Sequence, residues 1–193
     1  SLLNPLFTPS RLKANEEFMR DYADGMVRGL VARGSCEAIG EVATPYVTMV
    51  IADLLGVPDN DREEFRKIID SAPPPGNMDA PQETAQSSAL AFMVGYFAKY
   101  LAERRANPQA DVMTDLALAK FPDGSVPDIM EPAKAAMFLF AAGQDTSAKL
   151  LGNAMRYLAE NPELQAQLRA DPSLVPAFIE EMLRLEGSTK MTA

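Results

Sequence analysis

From Pro132 to Asn161 the sequence contains nothing that must stop a helix, and Pro162 then supplies a stop. About thirty residues rising 1.5 Å each make a rod of roughly 45 Å, long enough to cross a whole domain. Between Ala133 and Ala142 only Lys134 is polar. A helix apolar on nearly every side is one that other elements surround. The rest of the chain must therefore wrap a central helix.

The other segments read as helices too, with almost no period-two alternation. Ser10 is a natural N-cap after Thr8-Pro9, and Leu12, Met19, Tyr22, Met26 and Leu30 recur at helical spacings until Arg33-Gly34-Ser35. A second helix spans 42–55, with Pro45 in its first turn or at a kink, and stops at Gly56-Val57-Pro58. A polar helix follows over 60–70. The segment 83–106 places Met93, Tyr96, Phe97, Tyr100 and Leu101 on one amphipathic face. Shorter helices are expected over 112–120, 163–170 and 174–185. Cys36-Glu37-Ala38-Ile39 is the one strand candidate, and the stretch 71–81, with Pro73-Pro74-Pro75, is a loop and a candidate lid. No repeat or linker divides the chain. The predicted fold class is all-α, in one domain over residues 1–193.

Composition removes several functions. The sequence has no His, which excludes a Ser-His-Asp or Cys-His nucleophile and a His axial ligand within this chain. A net charge of -9, with 18 scattered basic residues, is wrong for a nucleic-acid partner. No apolar run reaches the roughly 18 residues of a membrane span. The lone Cys36 cannot form an internal disulfide and fits a reducing, cytoplasmic setting. Cys36 itself reads as a small buried side chain rather than a ligand.

The chemistry is concentrated in Ala141-Ala142-Gly143-Gln144-Asp145-Thr146-Ser147, in the middle of the long helix. A glycine costs about 1 kcal/mol against alanine in a helix interior. Gly143 would let a flat cofactor or small ligand approach the backbone. The Thr146 hydroxyl can bond back to the preceding turn or point outward to a ligand, and Asp145 could pass protons to that place. A plainer alternative is a helix bend where Gly143 relieves crowding and Asp145 reaches solvent. Glu181 and Arg184 form a second constellation, at i and i+3 on one helix face. Val175, Phe178, Ile179, Met182, Leu183 and Leu185 make that helix largely apolar, so the pair is expected to be partly buried with further partners.

Ala142-Gly143-x-Asp145-Thr146 on a long helix, followed about 35 residues later by Glu181-x-x-Arg184, resembles the cytochrome P-450 haem-thiolate monooxygenases. The order of other segments is similar across the whole chain. Asn4-Pro5-Leu6-Phe7-Thr8-Pro9-Ser10 looks like that family's C–D helix junction. Ile51-Ala52-Asp53-Leu54-Leu55-Gly56-Val57-Pro58, then Asp61-Arg62-Glu63-Glu64-Phe65, looks like the end of its E helix and the start of F. The proline-rich loop lies where its F–G lid would be, and Met191-Thr192-Ala193 where its first strand after helix K begins.

The resemblance implies the central portion of the cytochrome P-450 fold, helices D to K, built around a buried I helix. The N-terminal sheet and the C-terminal haem-cysteine loop would be absent from residues 1–193, so the isolated chain would be inactive. In a full-length form, haem b would be the cofactor. Ala142 and Gly143 would line the oxygen groove, while Thr146 and Asp145 would deliver protons to iron-bound dioxygen. Glu181 and Arg184 would have a structural role. The implied partners are a small hydrophobic organic substrate, with ferredoxin and ferredoxin reductase as electron donors. Residues 59–106, with Met137, Phe138 and Phe140, are the pocket candidates. The alternative from another class is a non-catalytic helical module that binds a ligand or partner without haem.

Overall fold

The computed structural model describes residues 8–70 and 82–188. Eight α-helices run in chain order over these residues: α1 (Pro9–Arg33), α2 (Thr44–Leu54), α3 (Asp59–Asp70), α4 (Gln82–Ala106), α5 (Val112–Leu118), α6 (Met130–Glu160), α7 (Pro162–Ala170) and α8 (Val175–Glu186). A π-helical turn, Ile39–Ala43, precedes α2, and a 3-10 turn, Pro172–Leu174, leads into α8. The described residues contain no strand. Among them, no helix is long and apolar enough to cross a membrane. The proline-rich loop and the segments 4–7 and 191–193 lie outside the described residues.

The strand expected at Cys36–Ile39 does not form. The Glu37 carboxylate accepts from the Ile39 amide at 2.9 Å and also from the Gly40 amide. The Ala43 amide then bonds to the Ala38 carbonyl at 2.9 Å, closing a wide turn that runs directly into α2. A side chain that satisfies the first orphan amides nucleates a helical turn, and local capping of this kind overrides a short apolar pattern. Pro45 is the second residue of α2, at the junction with the π-helical turn, and having no amide it donates no bond back into that turn.

The chain forms two compact units, one of Ser1–Tyr22 with Thr48–Ala141 and the other of Ala23–Val47 with Ala142–Ala193. The first is built around a continuous apolar core from α2 to α6, including Leu55, Phe65, Met93, Phe97, Leu101, Met113, Leu116, Ala136 and Phe140. Phe65 is the hub of its aromatic part. Its ring lies 4.6 Å from that of Tyr96, 5.3 Å from Phe140 and 5.7 Å from Phe97, all edge-on. Edge-to-face pairs of this kind add to area burial. The amphipathic face read from α4 is the one used: Met93, Phe97 and Leu101 are buried, with Tyr96 and Tyr100 half-buried beside them.

Those two tyrosines meet a polar partner from α3. Tyr100 Oη donates to Asp61 Oδ2 at 2.6 Å and Tyr96 Oη to the same oxygen at 2.7 Å. The Tyr100 bond, followed by that from Tyr96, holds the Asp61 carboxyl below its usual range, while burial above all pushes both phenols up. A carboxylate whose folded value lies below the unfolded value, about 3.9, stabilises the fold at every pH above that figure. The contribution is lost as pH falls through the lower, folded value. Asp61→Asn is therefore expected to unfold at lower urea concentration than the parent at neutral pH, with the two midpoints converging as pH drops below about 3.9. A gap independent of pH would contradict this account.

A second polar knot joins α1, α2 and α3. Arg62 pairs with Asp53 at 2.6 Å, donates to the Val57 carbonyl at 3.0 Å and covers the Phe18 ring at 4.7 Å. Asn15 donates to the other oxygen of Asp53. At the end of α4, buried Arg104 meets Asp111 at 2.6 Å, and Asp111 also caps α5 by accepting from the Thr114 amide at 2.7 Å.

In the second unit the buried residues include Ala43, Val47, Ala148, Gly152, Ala154 and Met182. Ile39 lies against Gly152: a Cβ there would stand 2.0 Å from Ile39 Cδ1, so a larger residue would oblige the exposed Ile39 side chain to turn away. Beyond α6, Asn161 and Gln165 donate to the Tyr157 and Leu158 carbonyls, each at 2.7 Å. These bonds satisfy acceptors that a helix end leaves open.

Burial of α6 is one-sided rather than all round. Pro132, Ala133, Ala136 and Phe140 are buried, but Lys134 and Phe138 are exposed, Phe138 at 62%. Of the pocket candidates, Phe140 is a core side chain and Met137 packs against that core.

Candidate functional site

All four candidate residues of the long helix lie in the second unit, within little more than one turn of α6. Ala142 and Thr146 are exposed and four residues apart, so they share one helix face. Gly143 and Asp145 are half-buried. Thr146 Oγ1 donates to the Ala142 carbonyl oxygen at 2.8 Å. Of the two expected orientations, the hydroxyl hydrogen thus takes the inward one, bonding back to the preceding turn. With that hydrogen committed, Oγ1 presents only acceptor lone pairs to anything that approaches.

Asp145 Oδ2 pairs with Lys149 Nζ at 2.6 Å, their side chains being 43% and 53% exposed. An acid four residues before a base is the favourable order on a helix. The pair is wet and easily opened. Lys149 was legible in the sequence by its spacing alone, but it was not among the expected site residues.

The expectation that Glu181 and Arg184 are partly buried with further partners is not met. Their forked bonds measure 2.6 and 2.9 Å, and the side chains are 52% and 67% exposed. The hydrogen bond, and then the opposite charge, lowers the Glu181 carboxyl and raises the Arg184 guanidinium. Within α8 only Met182 is buried, while the flanking Leu183 and Leu185 are themselves exposed. An apolar neighbour therefore confers no burial here. No hydrogen bond or ion pair among the described residues joins this pair to the four residues of α6.

Cys36, expected to be buried, is exposed. It precedes the Glu37-capped turn, in a stretch 34–37 that is exposed throughout. Among the described residues, no three His, Cys, Asp or Glu side chains gather as a metal site.

Sequence reasoning missed the residues just beyond α8. Ser188 Oγ donates to the Thr146 main-chain carbonyl, 42 residues away. No local pattern could have announced this, because the two residues meet only through the packing of α8 and α6.

No family model matches the sequence. The chain is 34% identical over 181 residues to cytochrome P450 107B1 of Saccharopolyspora erythraea, covering 94% of this chain and 43% of that protein. It is 33% identical over 184 residues to cytochrome P450 monooxygenase PikC of Streptomyces venezuelae, again covering 94% and 43%. The fold matches the substrate-free structure of Mycobacterium marinum cytochrome P450 CYP150A6 with a TM-score of 0.84 at 42% identity. That match covers 100% of this chain and 46% of the other. The chain therefore spans less than half the length of the curated relatives it matches. Sequence likeness along nearly all of its residues and a shared helical backbone lead to one conclusion: the chain belongs to the cytochrome P450 family.

Proposed function

We propose that this chain is the part of a haem-thiolate monooxygenase that walls the oxygen side of its haem, with Thr146 and Asp145 handling protons at that wall. The residues present suit that face of the group. Ala142 and Thr146 put a methyl and a hydroxyl on one exposed strip of α6, with the side-chain-free Gly143 beside them. They would not supply a ligand to its iron: the chain has no His, and Cys36 stands exposed between α1 and the π-helical turn. The thiolate would come from the rest of a longer protein. When bound there, haem supplies the chemistry that puts one atom of O2 into a small hydrophobic organic substrate and reduces the other to water.

That overall reaction consumes two electrons and two protons, and this chain's residues act on the protons. Thr146, its own hydrogen donated to Ala142, accepts a hydrogen bond at Oγ1 and so holds a water or other proton-bearing group at that atom. Asp145 is in contact with bulk water and resupplies the proton; opening its exposed pair with Lys149 costs little. The electrons come from a ferredoxin and its reductase. The bond from Thr146 Oγ1 to the Ala142 carbonyl is the observation that carries this reading.

A reduced carbon monoxide difference spectrum of the full-length protein tests it. The expected result is the thiolate-haem band; its absence would favour a helical module that works without haem. Glu181 and Arg184 are assigned a structural role in retaining haem. Glu181→Ala is expected to leave the helical circular dichroism of this chain unchanged, because the pair is exposed in it, and to lower the haem recovered with the full-length protein. Normal haem content would overturn that role.

A further inference from the structure

We propose that Ser188 is a positioning residue for Thr146, an inference that rests on the proton-handling reading of Thr146 and deepens it. Past α8 the chain lies along α6 as a short strap. Asn153 Nδ2 donates to the Glu186 carbonyl at 3.0 Å, and the Glu186 carboxylate stands 3.7 Å from the Arg156 guanidinium. Two residues further on, Ser188 Oγ reaches the Thr146 carbonyl. The attachments at 146, 153 and 156 span about 15 Å of helix.

Gly187 makes this path possible. It is extended, at φ -53° and ψ 142°, and a Cβ there would lie 2.8 Å from the Leu183 carbonyl oxygen. That is closer than a real side chain approaches a backbone oxygen, so only glycine lets the strap leave α8 so tightly.

Thr146 is thereby held at both of its polar ends. Its hydroxyl is tied to the turn before it, and its carbonyl to the strap. A helix carbonyl carries two lone pairs, so the Ser188 bond occupies one and leaves the other for the ladder. Fixing that carbonyl restrains the helical turn that carries the Thr146 Cα, and so the point from which Oγ1 is held out. Misplacement by a fraction of an ångström is costly where reacting groups must be aligned.

The test uses the full-length, haem-loaded protein, with Ser188→Ala, Ser188→Thr, Thr146→Ala and the double variant Ser188→Ala/Thr146→Ala. The readouts are amide hydrogen exchange over 144–150, haem content, and peroxide released per electron pair. Ser188→Ala is expected to speed exchange in that segment about fivefold, the worth of one hydrogen bond, and to raise peroxide severalfold at unchanged haem content. Ser188→Thr, which keeps the hydroxyl, restores both. In the Thr146→Ala background the serine change adds no further peroxide, because coupled residues are not additive. Unchanged exchange in Ser188→Ala overturns the positioning role alone, as does extra peroxide in the double variant. Unchanged peroxide in Thr146→Ala is a separate result, and it overturns the reading on which the inference rests.

Discussion

Thr146→Ala in the full-length, haem-loaded protein is expected to divert about ten times more of the consumed electrons into hydrogen peroxide while haem content stays the same. The magnitude follows from losing one well-placed hydrogen-bonding group, about 1.4 kcal/mol, at a point where two outcomes compete. On the proposed role, losing Oγ1 would leave nothing at that atom to hold the proton-bearing group in line, and a proton delivered to the wrong place would release peroxide.

Stability does not confound the result. Thr146 is exposed, and alanine is the better helix former by a few tenths of a kcal/mol. The variant should therefore unfold no earlier than the parent. Thr146→Ser keeps the hydroxyl and is expected to retain most of the coupling, whereas Thr146→Val, similar in shape without it, should behave as alanine does. Equal peroxide from the parent and Thr146→Ala, measured per electron pair, would remove Thr146 from the chemistry.

The second large effect is on the fold. Phe65→Ala is expected to cost about 3–5 kcal/mol, the usual toll for truncating a buried aromatic side chain. Phe65 is 1% exposed, and its ring touches those of Phe92, Tyr96, Phe97 and Phe140. Removing it empties the place where α3, α4 and the first half of α6 meet. Phe65→Leu fills much of the gap and should cost less. The measurement is the urea midpoint, read with the m-value to confirm that the unfolded state is unchanged. A loss below about 1 kcal/mol would mean that the four neighbouring rings collapse into the space.

Much of the helical architecture was written locally. The proline at 162 and the unbroken run before it mark α6, which runs Met130–Glu160. The spacing of Met93, Phe97 and Leu101 marks the buried side of α4. Both readings depend only on the 3.6-residue period and on what a proline cannot do. The strand at Cys36–Ile39 was misread because Glu37, a capping carboxylate, weighs more than four residues of pattern. The burial of Glu181 and Arg184 was misread because apolar residues on a helix need not face a core, and on α8 only Met182 does.

The site divides in the same way. The group Ala142, Gly143, Asp145 and Thr146 was visible because a glycine, an acid and a hydroxyl are anomalous in an apolar helix. The bond from Thr146 to Ala142 lies within one turn, at a spacing any helix supplies. Asp61 beneath Tyr96 and Tyr100, Asn15 on Asp53, and Ser188 on the Thr146 carbonyl belong to another kind of contact, made across 35 to 42 residues. Where the helices run, and which turn is chemically unusual, can be read along the chain, since hydrogen bonds four residues apart close without help from elsewhere. Which distant side chain reaches that turn is a matter of packing, because such a bond forms only after separate helices have brought its donor and acceptor together.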